Sequence, residues 1–239
     1  MRRVFALTSF LVSDLTHSLA GILPLASTLA FGLIAFEYGM DQPQFITVAG
    51  IGMGAICLAT ALVTASRANR ATSFLLVSRL HRRSELLAAL VLGSFAITAV
   101  LSLVTAFANL LAGRLTLDFP SSLWIIPTWL PLWLLAAVLA LPLSGLVERG
   151  GSHLAGYLLL AGLLMANDRR AFLAKHGLSW LTKVVEAVLW PVNTLLAQAS
   201  AGIHNLEYLL AWVLTCAYAV LLFGFAASLF HDKDLLWSE

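Results

Sequence analysis

Residues 45–66 read FITVAGIGMGAICLATALVTAS, a stretch without one charged side chain. A helix needs about 20 apolar residues to cross the hydrocarbon core of a bilayer. Inside that core every backbone N–H and C=O must be satisfied within the structure, which a helix does on its own. The stretch therefore reads as a transmembrane helix from Phe45 to Ser66. Gly50 and Gly54 lie one turn apart on one face, where the missing side chains let a second helix approach. That helix belongs either to this chain or to a partner copy.

Working outward, five further apolar runs follow the same logic: Ser18–Phe36, Leu86–Ala112, Ser122–Leu146, His153–Ala166 and Glu207–Phe230. Hydrophobic residues make up 60% of the 239 and charged ones 11%, with a mean hydropathy of +0.92. A soluble domain is about a quarter charged, so this chain lacks the polar surface to face water all round. Barrel strands would alternate apolar and polar positions, and no such alternation dominates. The expected fold is an all-α integral membrane protein of six transmembrane helices, with residues 1–239 forming one transmembrane domain.

A net charge of +2 gives no electrostatic footprint for nucleic acid. Cys57 and Cys216 fall inside apolar runs, where they act as small hydrophobes. Met1-Arg2-Arg3 before an apolar stretch superficially resembles a signal peptide. No small-residue cleavage site follows, and Asp14 and His17 interrupt the apolar core, so the segment reads as retained. Val4, Leu7, Leu11 and Leu15 recur at helical spacing, with Ser9, Ser13 and Thr16 turned away. Residues 1–17 are thus expected to form an interfacial helix anchored by Arg2 and Arg3. Asp14 is the flaw in its pattern, because it lies close to the apolar side.

Orientation follows from lysine and arginine, which accumulate in cytoplasmic loops. With six spans and a cytoplasmic N-terminus, that side holds nine: Arg2, Arg3, Arg67, Arg70, Arg79, Arg82, Arg83, Arg149 and Lys233. The outer side holds five: Arg114, Arg169, Arg170, Lys175 and Lys183. Both termini are therefore expected in the cytoplasm of a cell-membrane protein. The fifth span is short, and Asp168, Arg169 and Arg170 follow it at once. Residues 178–196 are amphipathic at first, with Leu181, Val184, Val185 and Val188 on one face. Pro191 then interrupts, giving an expected helix, break, helix. In the favoured layout 153–166 crosses and 167–206 is an outer amphipathic hairpin. In the rival layout 178–196 is the fifth span and Arg169, Arg170 and Lys175 lie inside.

The loop at 67–85 carries the main functional signal. An apolar piece, Phe74, Leu75 and Leu76, precedes a dense basic turn containing Arg79, Arg82 and Arg83. A connector that only reversed the chain could be shorter. An apolar patch ringed by arginines suits a cytoplasmic partner, or in the simpler alternative a turn lying on anionic lipid.

This loop resembles that of the type-2 permease family of ATP-binding cassette exporters. Thr72, Leu76, Ser78, Arg83, Glu85 and Leu86 carry the likeness, while Ala71, Ser73, Phe74, Arg79, Leu80 and Arg82 depart from the family pattern. The exit of the last span, Leu229-Phe230-His231-Asp232-Lys233-Asp234-Leu235, is similar to the aromatic, basic, Asp-Leu ending of those permeases. The resemblance implies a cytoplasmic coupling helix in the loop, seated in a groove of a separate ATPase subunit. Thr72, Phe74, Leu75, Leu76, Ser78, Arg79, Arg82, Arg83 and Glu85 would then make that contact. It also implies an N-terminal elbow helix, an outer hairpin before the last span, and a dimer with a second permease copy or homologue.

A phosphate-binding loop requires Gly-Lys-Ser/Thr, and none of Lys175, Lys183 and Lys233 follows a glycine. ATP and its magnesium would therefore bind the partner subunit, and no cofactor, metal ligand set or catalytic group is expected on this chain. An ion-coupled carrier would need ionisable residues within its spans. His17, His153 and Glu207 sit only at span edges. The expected function is the membrane half of an exporter for a hydrophobic or amphiphilic cargo. A membrane scaffold docking a cytoplasmic partner and an ion-coupled secondary carrier are the alternatives.

Overall fold

The computed structural model describes residues 2–69, 83–117, 122–147, 156–157, 160–162, 165, 175–176 and 179–231. Among the described residues the architecture is helical, with one isolated bridge between Met40 and Leu115. The longer helices are α1 (Arg2–Thr16), α2 (Ile22–Tyr38), α3 (Gln42–Ala68), α4 (Ser84–Leu111), α5 (Ile125–Leu139), α6 (Ser179–Ser200) and α7 (Leu206–His231). Four segments are long and apolar enough to cross a membrane: Leu19–Tyr38, α3, α4 and α7. α5 is equally apolar but shorter. The chain is thus an all-helical, multi-pass membrane protein.

Local chemistry sets the helix ends. Asp41 caps α3, its carboxylate accepting from the Gln44 N–H at 2.9 Å, and Pro43 occupies the first turn, where no N–H is needed. α6 ends at Gly202 with φ +70°, a conformation open to glycine, and the Ile203 N–H reaches back to the Gln198 carbonyl at 2.9 Å. Asn205 then starts α7 by accepting from the Tyr208 N–H at 3.0 Å. The expected fourth span, Ser122–Leu146, is cut short at Leu139. Pro142 has no N–H for the Val138 carbonyl and disfavours helix at Leu141, so 140–147 continues as turns packed inside the bundle.

One expectation fails at Pro191. α6 runs unbroken from Ser179 to Ser200 with the proline inside it. Membrane helices tolerate proline where neighbouring packing and local adjustment re-satisfy the freed carbonyl, and Pro191 is buried among its neighbours. Eight of the fourteen residues of the expected span at 153–166 lie outside the described residues, as do residues 167–174 and 177–178 of the expected 167–206 hairpin.

Helix directions can be read from paired contacts. Trp129 and Trp133 of α5 meet Ile46 and Gly50 near the start of α3, and Gly145 lies beside Asn69 at its end. α3 and α5 therefore run the same way. Tyr208 and Trp212, early in α7, bond to Thr128 and Pro127, early in α5, so α7 shares that direction. α4 opposes all three: Phe95 packs on Trp133 while Ala106 lies with Ile126, and Arg83 at its start meets Phe230 at the end of α7. α6 folds back on α7 through the turn at 201–205 and packs against α7 and α3. Small residues line the seams, among them Ala61, Ala65, Ala89, Ala137, Ala211 and Ala219, all nearly inaccessible. Apolar side chains such as Leu29, Leu33, Val220 and Leu221 point outward and remain more than 60% exposed, as lipid-facing residues do.

Candidate functional site

The site is built from the two helix ends that flank the basic loop. α3 ends at Ala68 and α4 begins at Ser84. Each flank carries an arginine, and each arginine is held by a different helix.

Arg67 is held by α1. Its guanidinium donates to the Asp14 carboxylate, with Nε and Nη2 both 2.8 Å from Oδ2. Asp14 sits on the edge of the α1 face that buries Leu11 and Leu15. The residue that spoiled the amphipathic pattern of α1 is therefore the one that ties it to α3. α1 lies along α4 as well: the Thr8 hydroxyl, which donates to the Val4 carbonyl at 2.9 Å, also comes within 3.5 Å of the Ala89 carbonyl, and Val12 packs on Gly93.

Arg83 is held by α7. Its Nη1 donates to the carbonyls of Phe230 at 3.2 Å and His231 at 3.1 Å. The last carbonyls of a helix have no intrahelical donor and carry the negative end of its dipole, so a guanidinium there meets both needs. Glu85 lies in the first turn of α4, where a carboxylate is favoured. Its Oε2 is buried, and no donor among the described residues reaches it.

Of the residues expected to contact an ATPase, Arg83 and Glu85 are thus described and stand together at the foot of α4. Thr72, Phe74, Leu75, Leu76, Ser78, Arg79 and Arg82 lie outside the described residues. Gly50 and Gly54 both face α5. A Cβ on Gly50 would come within 2.9 Å of the Trp129 indole nitrogen and 3.3 Å of Leu196, whereas one on Gly54 would meet Trp133 at 3.7 Å. The helix they admit belongs to this chain.

The opposite end of the bundle is closed by aromatic groups. The Trp129 indole N–H donates to the Ile46 carbonyl at 3.0 Å, Trp133 to Gly50 at 3.2 Å, and Trp212 to Pro127 at 2.9 Å. Trp129 and Trp133 are only 6% and 5% exposed and belong to the core, not to an interfacial belt of tryptophans. Trp124 stacks on His204 at 4.2 Å, and Tyr208 meets His204 edge-on at 5.0 Å. Burial pushes the His204 imidazole below its ordinary value of 6.5.

Among the described residues no group of three His, Cys, Asp or Glu side chains is placed to hold a metal ion. No family model matches the chain, no curated protein is similar to it, and no solved structure matches its fold.

Proposed function

We propose that this chain is the membrane-spanning subunit of an ATP-driven exporter of the ATP-binding cassette type, with hydrolysis on a separate subunit docked at the 67–85 loop. The observation that carries the reading is the double attachment of that loop. Arg67 ties its entry to α1, and Arg83 ties its exit to α7. A push on the loop would therefore reach α1, α3, α4 and α7 together. A loop that only reversed the chain has no need of such a frame.

The topology that fits best has six spans, with the loop and both termini on the cytoplasmic side. α5 and α7 run the same way, so the chain between them crosses the membrane an odd number of times. α6 supplies that crossing economically. Its 22 residues span about 33 Å, and its end lies beside the start of α7. Lys183, in its second turn, can extend its ammonium to the interface. This favours α6 over 153–166 as the fifth span. It moves Arg169, Arg170 and Lys175 to the side of Arg67 and Arg83 and leaves Arg114 the one arginine outside, which strengthens the positive-inside asymmetry.

Two experiments test these points. With Cys57 and Cys216 replaced, a cysteine at Lys175 should be shielded from an impermeant maleimide in intact cells while one at Arg114 is labelled. Labelling of both would restore 153–166 as the crossing. Purification from native membranes should bring down a cassette ATPase, together with a second permease copy or homologue. A chain that instead moves its cargo on an ion gradient, with no ATPase present, is a secondary carrier.

A further inference from the structure

Buried hydroxyls in this bundle fold back on their own helices. Thr60, Thr64, Ser94, Thr128 and Thr215 each donate to the carbonyl four residues earlier, at 2.7–2.9 Å. Such bonds satisfy a polar group where water is absent. Ser102 of α4 breaks the pattern. It is 4% exposed, its Oγ has no partner, and it lines a cleft of about 220 Å³ between α4 and α5. Thr28 and Thr98 also lack partners, but neither lines that cleft.

We infer that this cleft binds one hydrocarbon chain of a neutral membrane amphiphile, with an ester or hydroxyl oxygen of the ligand meeting the Ser102 hydroxyl. The walls argue for a chain. Ala99 and Ala106 leave the space, Phe95, Trp129 and Trp133 line it with rings, and no charged group is present. The indole N–H groups of Trp129 and Trp133 are already committed to α3 carbonyls, which fixes the rings and leaves Ser102 as the polar contact. The size excludes a bulky ligand, since drug-sized sites start at about 300 Å³, whereas a void of about 150 Å³ already takes a benzene ring. The source is the bilayer: the rim residues Leu103 and Ile126 are 62% and 64% exposed and continue the apolar belt of the outer surface. The larger void of about 300 Å³ between α1, α2 and α4 lacks this feature, because its one hydroxyl, Thr16, is bonded to the Ser13 carbonyl. The cleft lies within the membrane-spanning helices and owes nothing to the ATPase reading.

The test is photolabelling of the full-length chain in lipid nanodiscs. The probes are a monoacylglycerol carrying a diazirine on its chain and an alkane of equal length carrying the same group. Adducts of both should concentrate on Ala99, Leu103, Ala106 and Ile126 over the outward-facing Leu29, Leu33, Val220 and Leu221. Ala106→Phe should erase that enrichment by filling the cleft. Ser102→Ala should lower it about two- to tenfold for the monoacylglycerol, the value of one hydrogen bond, and leave the alkane unchanged. Even labelling of all outward faces, or enrichment that survives Ala106→Phe, means surrounding lipid only and overturns the proposal. So does an equal effect of Ser102→Ala on both probes.

Discussion

At the Arg67–Arg83 end the helices are tied together by guanidinium groups, one on a carboxylate and one on helix-terminal carbonyls. At the Trp129–Trp212 end, indole N–H groups on backbone carbonyls do the same work, within a cluster of stacked rings. The ionic ties are partly open to solvent, since Asp14 is 42% exposed. An exposed ion pair contributes about 0–1 kcal/mol and weakens with salt. The aromatic ties are uncharged and indifferent to salt, buried at Trp129 and Trp133 and half-buried at Trp212. One end is thus built to hold its shape, and the other to be displaced at small cost. That division suits a membrane domain driven from the loop side.

The largest effect is expected where the aromatic end is tightest. Gly50→Leu would force a side chain into Trp129 and Leu196 and should prevent stable folding, whereas Gly54→Ala should be tolerated. Overpacking of this kind costs about 1–3 kcal/mol even for small additions. Thermal aggregation of the detergent-solubilised variants distinguishes the two, and equal behaviour would mean that Gly50 is not the contact point. Trp133→Phe removes one buried hydrogen bond while keeping a ring, and should cost about 1 kcal/mol with no dependence on salt.

At the other end Arg83→Gln should cost up to about 1 kcal/mol, by leaving the last carbonyls of α7 without their cation. Asp14→Asn should cost less, and added salt should erase its effect. The exchange Asp14→Arg with Arg67→Asp should recover most of the loss. A salt-independent Asp14→Asn would contradict the exposed ionic tie.

The smallest effect is a pH dependence at the aromatic end. Folding depresses the pKa of His204, so the folded state favours the neutral ring. The stability of the Trp124–His204–Tyr208 stack is then fully present above 6.5 and is lost as pH falls through the depressed folded value. His204→Gln should flatten that acid limb, as followed by melting temperature against pH.

Much of the helix layout was legible because hydropathy measures what the bilayer selects. The runs Phe45–Ser66, Leu86–Ala112 and Glu207–Phe230 match α3, α4 and α7 to within a few residues. Hydropathy does not register backbone chemistry, so the fourth run was carried past Pro142 and a break was expected at Pro191. The ties that frame the loop were not legible, since Asp14 and Arg67 lie 53 positions apart and Arg83 and His231 148. The one trace they left was an aspartate near the apolar side of α1. The core positions of Trp129 and Trp133 were not legible either, because composition alone cannot tell a ring facing lipid from one facing α3.

The proposed function depends most heavily on the loop at 67–85 being the place where an ATPase drives the membrane domain. The direct measurement is ATP hydrolysis by the purified assembly, compared among the native chain, Phe74→Glu and Leu76→Glu at equal folded protein. The native chain should yield a stable complex with an ATP-hydrolysing subunit, and both variants should lose that subunit. A well-folded native chain that purifies without any ATPase, or a complex whose hydrolysis is unchanged by both substitutions, would contradict the proposed function.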